Sequence, residues 1–262
     1  GLMMTLDAER KKLADALNPL GLGGWQYYPT LGSTNDLALE SARKGAPDWT
    51  LVVADTQTAG RGRTDRTWET KLGGLAFSLV LQPFPQEVTL VTRFSALAGL
   101  GLVHALAGLG LQAQVKWPND VLLVGKKVAG VLVESEWKEG TLTGLILGMG
   151  VNVSKASVPD RGKLRYPATS VEAVLGQPVD RWALLARILK AMQDLRSLLP
   201  TESFIQEWNQ HLAFRDEAIH FSTPDGKVIK GRLRGVTSLG GITVEMPAGG
   251  LRDFIAGEIV MG

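Results

Sequence analysis

Apolar positions along this chain alternate between two spacings, and the spacing in each segment predicts its element. In the segment 180–199, apolar side chains fall at 182, 185, 188, 189, 192 and 195, near the 3.6-residue period of a helix with one buried face. "ESFIQEWNQHL" predicts another helix directly after it. "STNDLALESARKG" opens on the capping types Ser33 and Thr34 and closes on Gly45, which predicts a short helix with hydroxyls at its start. Runs rich in β-branched and apolar residues at 49–56 and 74–83 read as strands. So do "AQVKW", "VLLV", "KVAGVLVESEW" beyond the turn "GKK", and "TLTGLILGMGVNV" beyond "KEG". Strands that follow one another without helices pair antiparallel, so the fold class is α+β, a mixed and largely antiparallel sheet with helices packed on it.

The run "FSALAGLGLVHALAGLGL" (94–111) is about as long as a membrane span. Glycines and a histidine interrupt it, and a strand pattern follows closely, so a buried core helix is expected. Segment 155–166 is polar and turn-rich, an expected surface excursion. From about residue 214 the pattern changes to short β-like runs separated by glycines, which predicts a small barrel. Two domains are therefore expected, 1–212 and 213–262.

Composition narrows the function. With 45% of 262 residues hydrophobic, the chain can bury a sizeable core, and a disordered chain is excluded. A net charge of +2 provides no field for nucleic acid or anionic membrane. The last segment, 214–262, carries six Lys or Arg against six Asp or Glu, unlike a nucleic-acid barrel. Absence of cysteine excludes disulfides, thiolate nucleophiles and Cys-based zinc sites. His104, His211 and His220 lack metal-ligand spacing and are expected to be ordinary helix-face or surface side chains. No secretory signal pattern opens the chain, so a cytoplasmic protein without a membrane partner is expected.

Basic chemistry must then be local, and one stretch concentrates it. "QTAGRGRTDRTW" (57–68) has no aliphatic side chain between Ala59 and Trp68, and 61–71 holds four positive and two negative residues. Glycines alternating with Arg61 and Arg63 allow backbone N–H groups and guanidinium forks to converge on one anion; a solvated hairpin tip is the competing reading. "KWPNDV" (116–121) sets Lys116, Asn119 and Asp120 around Pro118 at a strand end. Asp120 there suits a divalent ion, a proton, or simply an Asx turn. Lys127 enters a strand buried on one face, where its ammonium would meet a carboxylate and a phosphate, whereas alternation turns Lys126 to water. A Walker loop is excluded because Asp120 stands where its first glycine is needed, and "GMGVNV" has Val153 in place of a third glycine.

Taken in order, "GSTNDLA", "QTAGRGRTDRTW", "KWPNDV", "KKVAGVLVE" and "GMGVNV" resemble the biotin protein ligase family. The resemblance is close over 33–152 and weaker over the tail, which is similar to that family's SH3-like barrel. It implies a class II synthetase-like catalytic domain that joins biotin to ATP with Mg²⁺ and passes the biotinyl group from biotinyl-5′-AMP to a lysine of a biotin carboxyl carrier protein. By resemblance Ser33, Thr34, Asn35, Gln57, Arg61, Gly62, Arg63, Lys127, Gly130 and Val131 meet biotin. Arg63, Trp68, Lys116, Asn119, Lys127 and Asn152 meet ATP or the adenylate. Lys127, Arg61, Arg63 and Asp120 are the implied catalytic set, and Asp120 is the implied metal contact. Asp65 departs from the pattern, which usually has glycine there. Only 32 residues precede Ser33, too few for the DNA-binding domain of bifunctional members, so a monofunctional ligase is expected. A homodimer is compatible with this reading, and the sequence does not choose the oligomeric state.

Two other readings compete. A lipoate or octanoate ligase or transferase would share the fold, but the chain has no cysteine for a thioester, and "RGRTDR" is not the glycine triplet of those enzymes. A nucleic-acid module using the arginine loop leaves "KWPND" and "KKVAG" unexplained.

Overall fold

A computed structural model describes residues 2–62, 73–159 and 166–261. Seven strands form one sheet in the order β1-β2-β3-β7-β6-β5-β4. These are β1 (Gly24–Leu31), β2 (Thr50–Gln57), β3 (Leu75–Leu81), β4 (Ala113–Lys116), β5 (Asp120–Leu123), β6 (Lys126–Lys138) and β7 (Thr141–Val151). β1 and β2 run parallel, joined by helix α2 (Thr34–Arg43), and every other neighbouring pair is antiparallel. The mixed, mostly antiparallel sheet expected from the strand runs is thus present. Helix α1 (Leu2–Leu17) and strand β1 are elements that the hydrophobic pattern did not single out. β1 mixes Gln, Tyr, Pro and Thr with few aliphatic residues, and most of its positions are only half-buried, as befits an edge strand.

Alternation along the strands divides the sheet's two faces unequally. Leu51, Val53, Leu75, Phe77, Leu79, Leu145, Leu147 and Met149 point into the main core, toward helices α3 (Thr92–Ala107) and α5 (Arg181–Arg196), which pack on each other. The intervening residues Val52, Val80 and Ile146 meet Ala38 and Ala42 of α2 on the other face. α2 is short, so beyond its N-terminus this second face of the sheet lies open. The run at 94–111 is α3 as far as Ala107, buried through most of its length. No helix among the described residues is long and apolar enough to cross a membrane.

Two short helices complete the set, α4 (Val171–Leu175) and α6 (Glu202–Gln210). The last five strands, β8 (Ala218–Ser222), β9 (Val228–Val236), β10 (Ile242–Glu245), β11 (Leu251–Phe254) and β12 (Glu258–Val260), form a second antiparallel sheet in the order β11-β10-β9-β8-β12. Its apolar face, including Phe221, Leu233, Ile242 and Val244, belongs to the same core as the large sheet. Trp117 makes the join: its ring is buried, it lies 6.0 Å from Phe221, and its indole N–H donates to Gly240 O at 2.9 Å. Arg93 supports the same turn by donating to Ser238 O at 2.9 and 3.2 Å.

Arg196 at the end of α5 is buried among acidic partners. It reaches Asp48 at 3.0 Å, Glu87 at 3.2 Å and Gln82 O at 2.7 Å, and Glu87 is itself 1% exposed. Removing the cation would leave Glu87 charged and enclosed. Arg196→Ala is therefore expected to cost about 3–5 kcal/mol in urea unfolding, the usual consequence of stranding a buried partner; a loss below about 1 kcal/mol would show that the ion group is not stabilising.

Candidate functional site

The open part of the sheet, in front of the N-terminus of α2, is a cleft. Its lining comprises Ser33, Thr34 and Asn35 from α2, Gln57 at the end of β2, Arg61 and Gly62, and Asn119, Asp120, Lys127, Gly130, Val131, Leu132, Gly148, Met149 and Gly150 from β5 to β7. Gly130 pairs with Gly150, and Leu132 with Gly148, so the floor between β6 and β7 carries almost no side chains. At Gly148 the requirement is steric: a Cβ would stand 2.2 Å from Asn35 Oδ1.

One end of the cleft is lined by uncharged side chains that hydrogen-bond to one another. Ser33 caps α2, accepting from Asp36 N at 3.3 Å. Thr34 donates to Gln57 Oε1 from its backbone N–H at 2.8 Å and from its hydroxyl at 3.1 Å. Asn35 donates to Glu134 Oε1 at 2.9 Å. Beneath them lies Ser78 of β3, whose Oγ is 2.7 Å from Thr34 Oγ1 and 2.5 Å from Asn35 Oδ1. Ser78 has one proton, so it donates to one of these neighbours at a time. Sequence reasoning missed it, although a single hydroxyl in the otherwise apolar strand "LAFSLVL" is a legible signal of a buried polar contact.

The other end is ionic. Asp120 lies opposite Lys116 in the β4–β5 ladder, and its carboxylate is 3.7 Å from Lys116 Nζ and 3.1 Å from Lys127 Nζ. Lys116 is 2% exposed and stands 4.9 Å over the Tyr166 ring. Burial, and next the Asp120 charge, push the Tyr166 hydroxyl above its ordinary pKa. The lysine turned inward is Lys127 and the exposed one is Lys126, as expected. The reason is different from simple alternation. Gly130 faces the cleft, so strict period two would also turn Lys126 toward it. A register shift between Val121 and Leu122 pairs Leu122 with Lys127 and turns Lys127 to the cleft side instead.

Arg61 joins neither end directly. Its guanidinium donates to Asp36 and, at 2.6 Å, to Glu134. These hydrogen bonds, Asp36 first and Glu134 second, hold its pKa above the ordinary arginine value. Glu134 thereby connects Arg61 to Asn35, a role not foreseen from the sequence.

Two residues expected at the site stand back from the lining. Lys116 is covered as described, and Asn152 is buried with its amide donating to Thr169 O at 3.2 Å. Asn119 lines the cleft while its amide donates to Val131 O at 3.0 Å, securing β5 against β6. Arg63, Asp65 and Trp68 lie outside the described residues.

A family model described as the biotin/lipoate A/B protein ligase family matches residues 27–152. The chain is similar, at 34% identity over 88% of its own length and 97% of the relative's, to the biotin–[acetyl-CoA-carboxylase] ligase of Paracoccus denitrificans. It is 39% identical over 166 residues to the bifunctional ligase/repressor BirA of Bacillus subtilis, and there it spans 50% of the relative's length. Among solved structures, the biotin protein ligase of Aquifex aeolicus in complex with biotin and ATP superposes with a TM-score of 0.75 at 28% identity, covering 90% of this chain and 97% of that one.

Asn35 is pinned on two sides and cannot move away from an added methyl group at the floor. Gly148→Ala is accordingly expected to lower unfolding free energy by about 1–3 kcal/mol, the range for overpacking. Urea denaturation measures it, and unchanged stability would mean that Asn35 is not held where its hydrogen bonds place it.

Proposed function

Because the chain belongs to the biotin protein ligase family, we propose that its cleft forms biotinyl-5′-AMP from biotin and ATP and then transfers the biotinyl group to a lysine of a biotin carboxyl carrier protein. The observation that carries this reading is the division of one cleft into a neutral hydrogen-bonding end and an end with Lys127 beside Asp120. A substrate with an uncharged polar ring and a carboxylate tail matches that division.

In the first step a carboxylate oxygen attacks the α-phosphorus of ATP, and the bond to the β-phosphate oxygen breaks, releasing pyrophosphate. Both reactants are anions. The work of the protein is to supply positive charge where they meet. Lys127 is placed to do so, with Asp120 fixing its direction. Arg61 would follow by exchanging Glu134 or Asp36 for substrate oxygens, since its charge is already held at the cleft wall. Arg63 takes its role from the same "RGR" stretch, and Trp68 and Asn152 take theirs on the adenine side, by family resemblance. In the second step the acceptor amine attacks the acyl carbon, loses a proton, and AMP leaves.

The described residues do not suit Asp120 to hold Mg²⁺. It is the one carboxylate among the lining residues, and two ammonium groups already compensate it, so a divalent ion beside it would be repelled. We read the C-terminal sheet with residues 213–262 as the family's SH3-like second domain, bonded to Trp117 through Gly240 O.

Incubation of the protein with biotin, ATP labelled at the α-phosphate and Mg²⁺ is expected to yield labelled biotinyl-AMP, and substitution of lipoate for biotin is expected to yield none. Folded protein that makes no adenylate would refute the proposal. Lys127→Ala should lower adenylate formation by about 100-fold or more, the loss typical of a group that stabilises developing charge. Lys126→Ala should leave it nearly unchanged. Equal losses at the two positions would contradict the orientation argued from the bulge.

A further inference from the structure

Far apart in sequence, His104 and His211 are neighbours in the fold. Together with Glu207 they are the one group of three metal-capable side chains among the described residues, their ligand atoms all within 4.8 Å of one another. This corrects the expectation that the histidines stand separately: α3 supplies His104, and α6 supplies Glu207 and, at its C-cap, His211. We propose that His104, Glu207 and His211 form a binding site for a divalent transition-metal ion of the zinc class, outside the cleft.

Three observations support it. First, the ligand types and number fit: two imidazoles and one carboxylate are a set that zinc accepts, leaving a fourth position to water. Second, the geometry is close. His211 Nε2 is 3.3 Å from Glu207 Oε1, and His104 Nε2 is 2.5 Å from the same oxygen. Ligand atoms around a tetrahedral zinc ion stand about 3.3 Å apart, given metal–ligand bonds near 2.0–2.1 Å. The first pair already has that separation. The second needs a small rotation of His104, whose side chain is 42% exposed. Third, the field is right. His104 lies in the last turn of α3, and Glu207 and His211 lie at the end of α6, so two helix C-termini converge there. The helix dipoles are negative at these ends and favour a cation.

The site would tie the helical layer to the strand that bears Lys116. His211 O accepts from Val115 N at 2.8 Å, and Ala213 N donates to Val115 O at 2.8 Å, so the backbone beside the ligand is bridged to β4. Bound metal would therefore stabilise the α3–α6 junction without touching the substrates.

The test uses the tag-free 262-residue chain and Zn²⁺ alone, without nucleotide. Equilibrium dialysis is expected to give one ion per chain, and Zn²⁺ is expected to raise the melting temperature. His104→Ala, His211→Ala and Glu207→Gln should each weaken binding by about tenfold or more and abolish the shift, since each removes one of three ligands. His220→Ala, which removes the remaining histidine, should retain both. Circular dichroism identifies any variant that fails to fold, and exposed His104 is the position least exposed to that risk. Absence of stoichiometric binding, or binding undiminished in both His104→Ala and His211→Ala, would overturn the proposal.

Discussion

Burial of Trp117 is the contact on which the rest of this molecule turns. Its ring lies 1% exposed between the large sheet and the C-terminal sheet, and its indole N–H is satisfied by Gly240 O at 2.9 Å. Burying so large an aromatic contributes several kcal/mol while meeting its one polar requirement. It also positions chemistry, because Lys116 and Asp120 flank the "WPN" segment on either side. A residue that anchors two sheets therefore determines where the ionic group stands. The C-terminal sheet is in this sense part of the site's support, even though none of its side chains lines the cleft.

Charge in the cleft is arranged in advance. Lys127 and Lys116 share Asp120, and Arg61 shares Glu134 and Asp36, so each cation has an internal counter-ion. An unpaired cluster of cations around a partly enclosed cleft would destabilise the fold by mutual repulsion and desolvation. Pairing avoids that cost and holds the cations in place. The neutral end works similarly: Thr34, Asn35, Gln57 and Ser78 satisfy one another, which fixes their directions before any ligand arrives.

Much of the site was legible because it is written in short local stretches. Ser33 to Asn35 follow a helix-start pattern, the arginine loop stands out against an otherwise neutral chain, and "KWPND" and "GKK" mark strand ends. What stayed hidden had no local signature. Glu134 is one acidic residue in a strand, Tyr166 ends a polar excursion, and the His104–Glu207–His211 group spans more than a hundred residues. Even the correct reading of Lys127 over Lys126 rested on alternation, whereas the fold achieves it through a register shift that alternation cannot foresee.

The sequence by itself determined helices α2, α3, α5 and α6 and most strands, the α+β class, the absence of thiol chemistry, and the stretches that line the cleft. These follow from periodicity, composition and turn chemistry, all local properties of the chain. Tertiary structure alone decided which of these stretches meet: that a short α2 leaves half a sheet face open, that glycines from β6 and β7 form the floor, and that Asp120 serves two lysines. Those outcomes depend on strand order and register, which are set by the summed packing of residues distant in sequence, and no short window of the chain contains that sum.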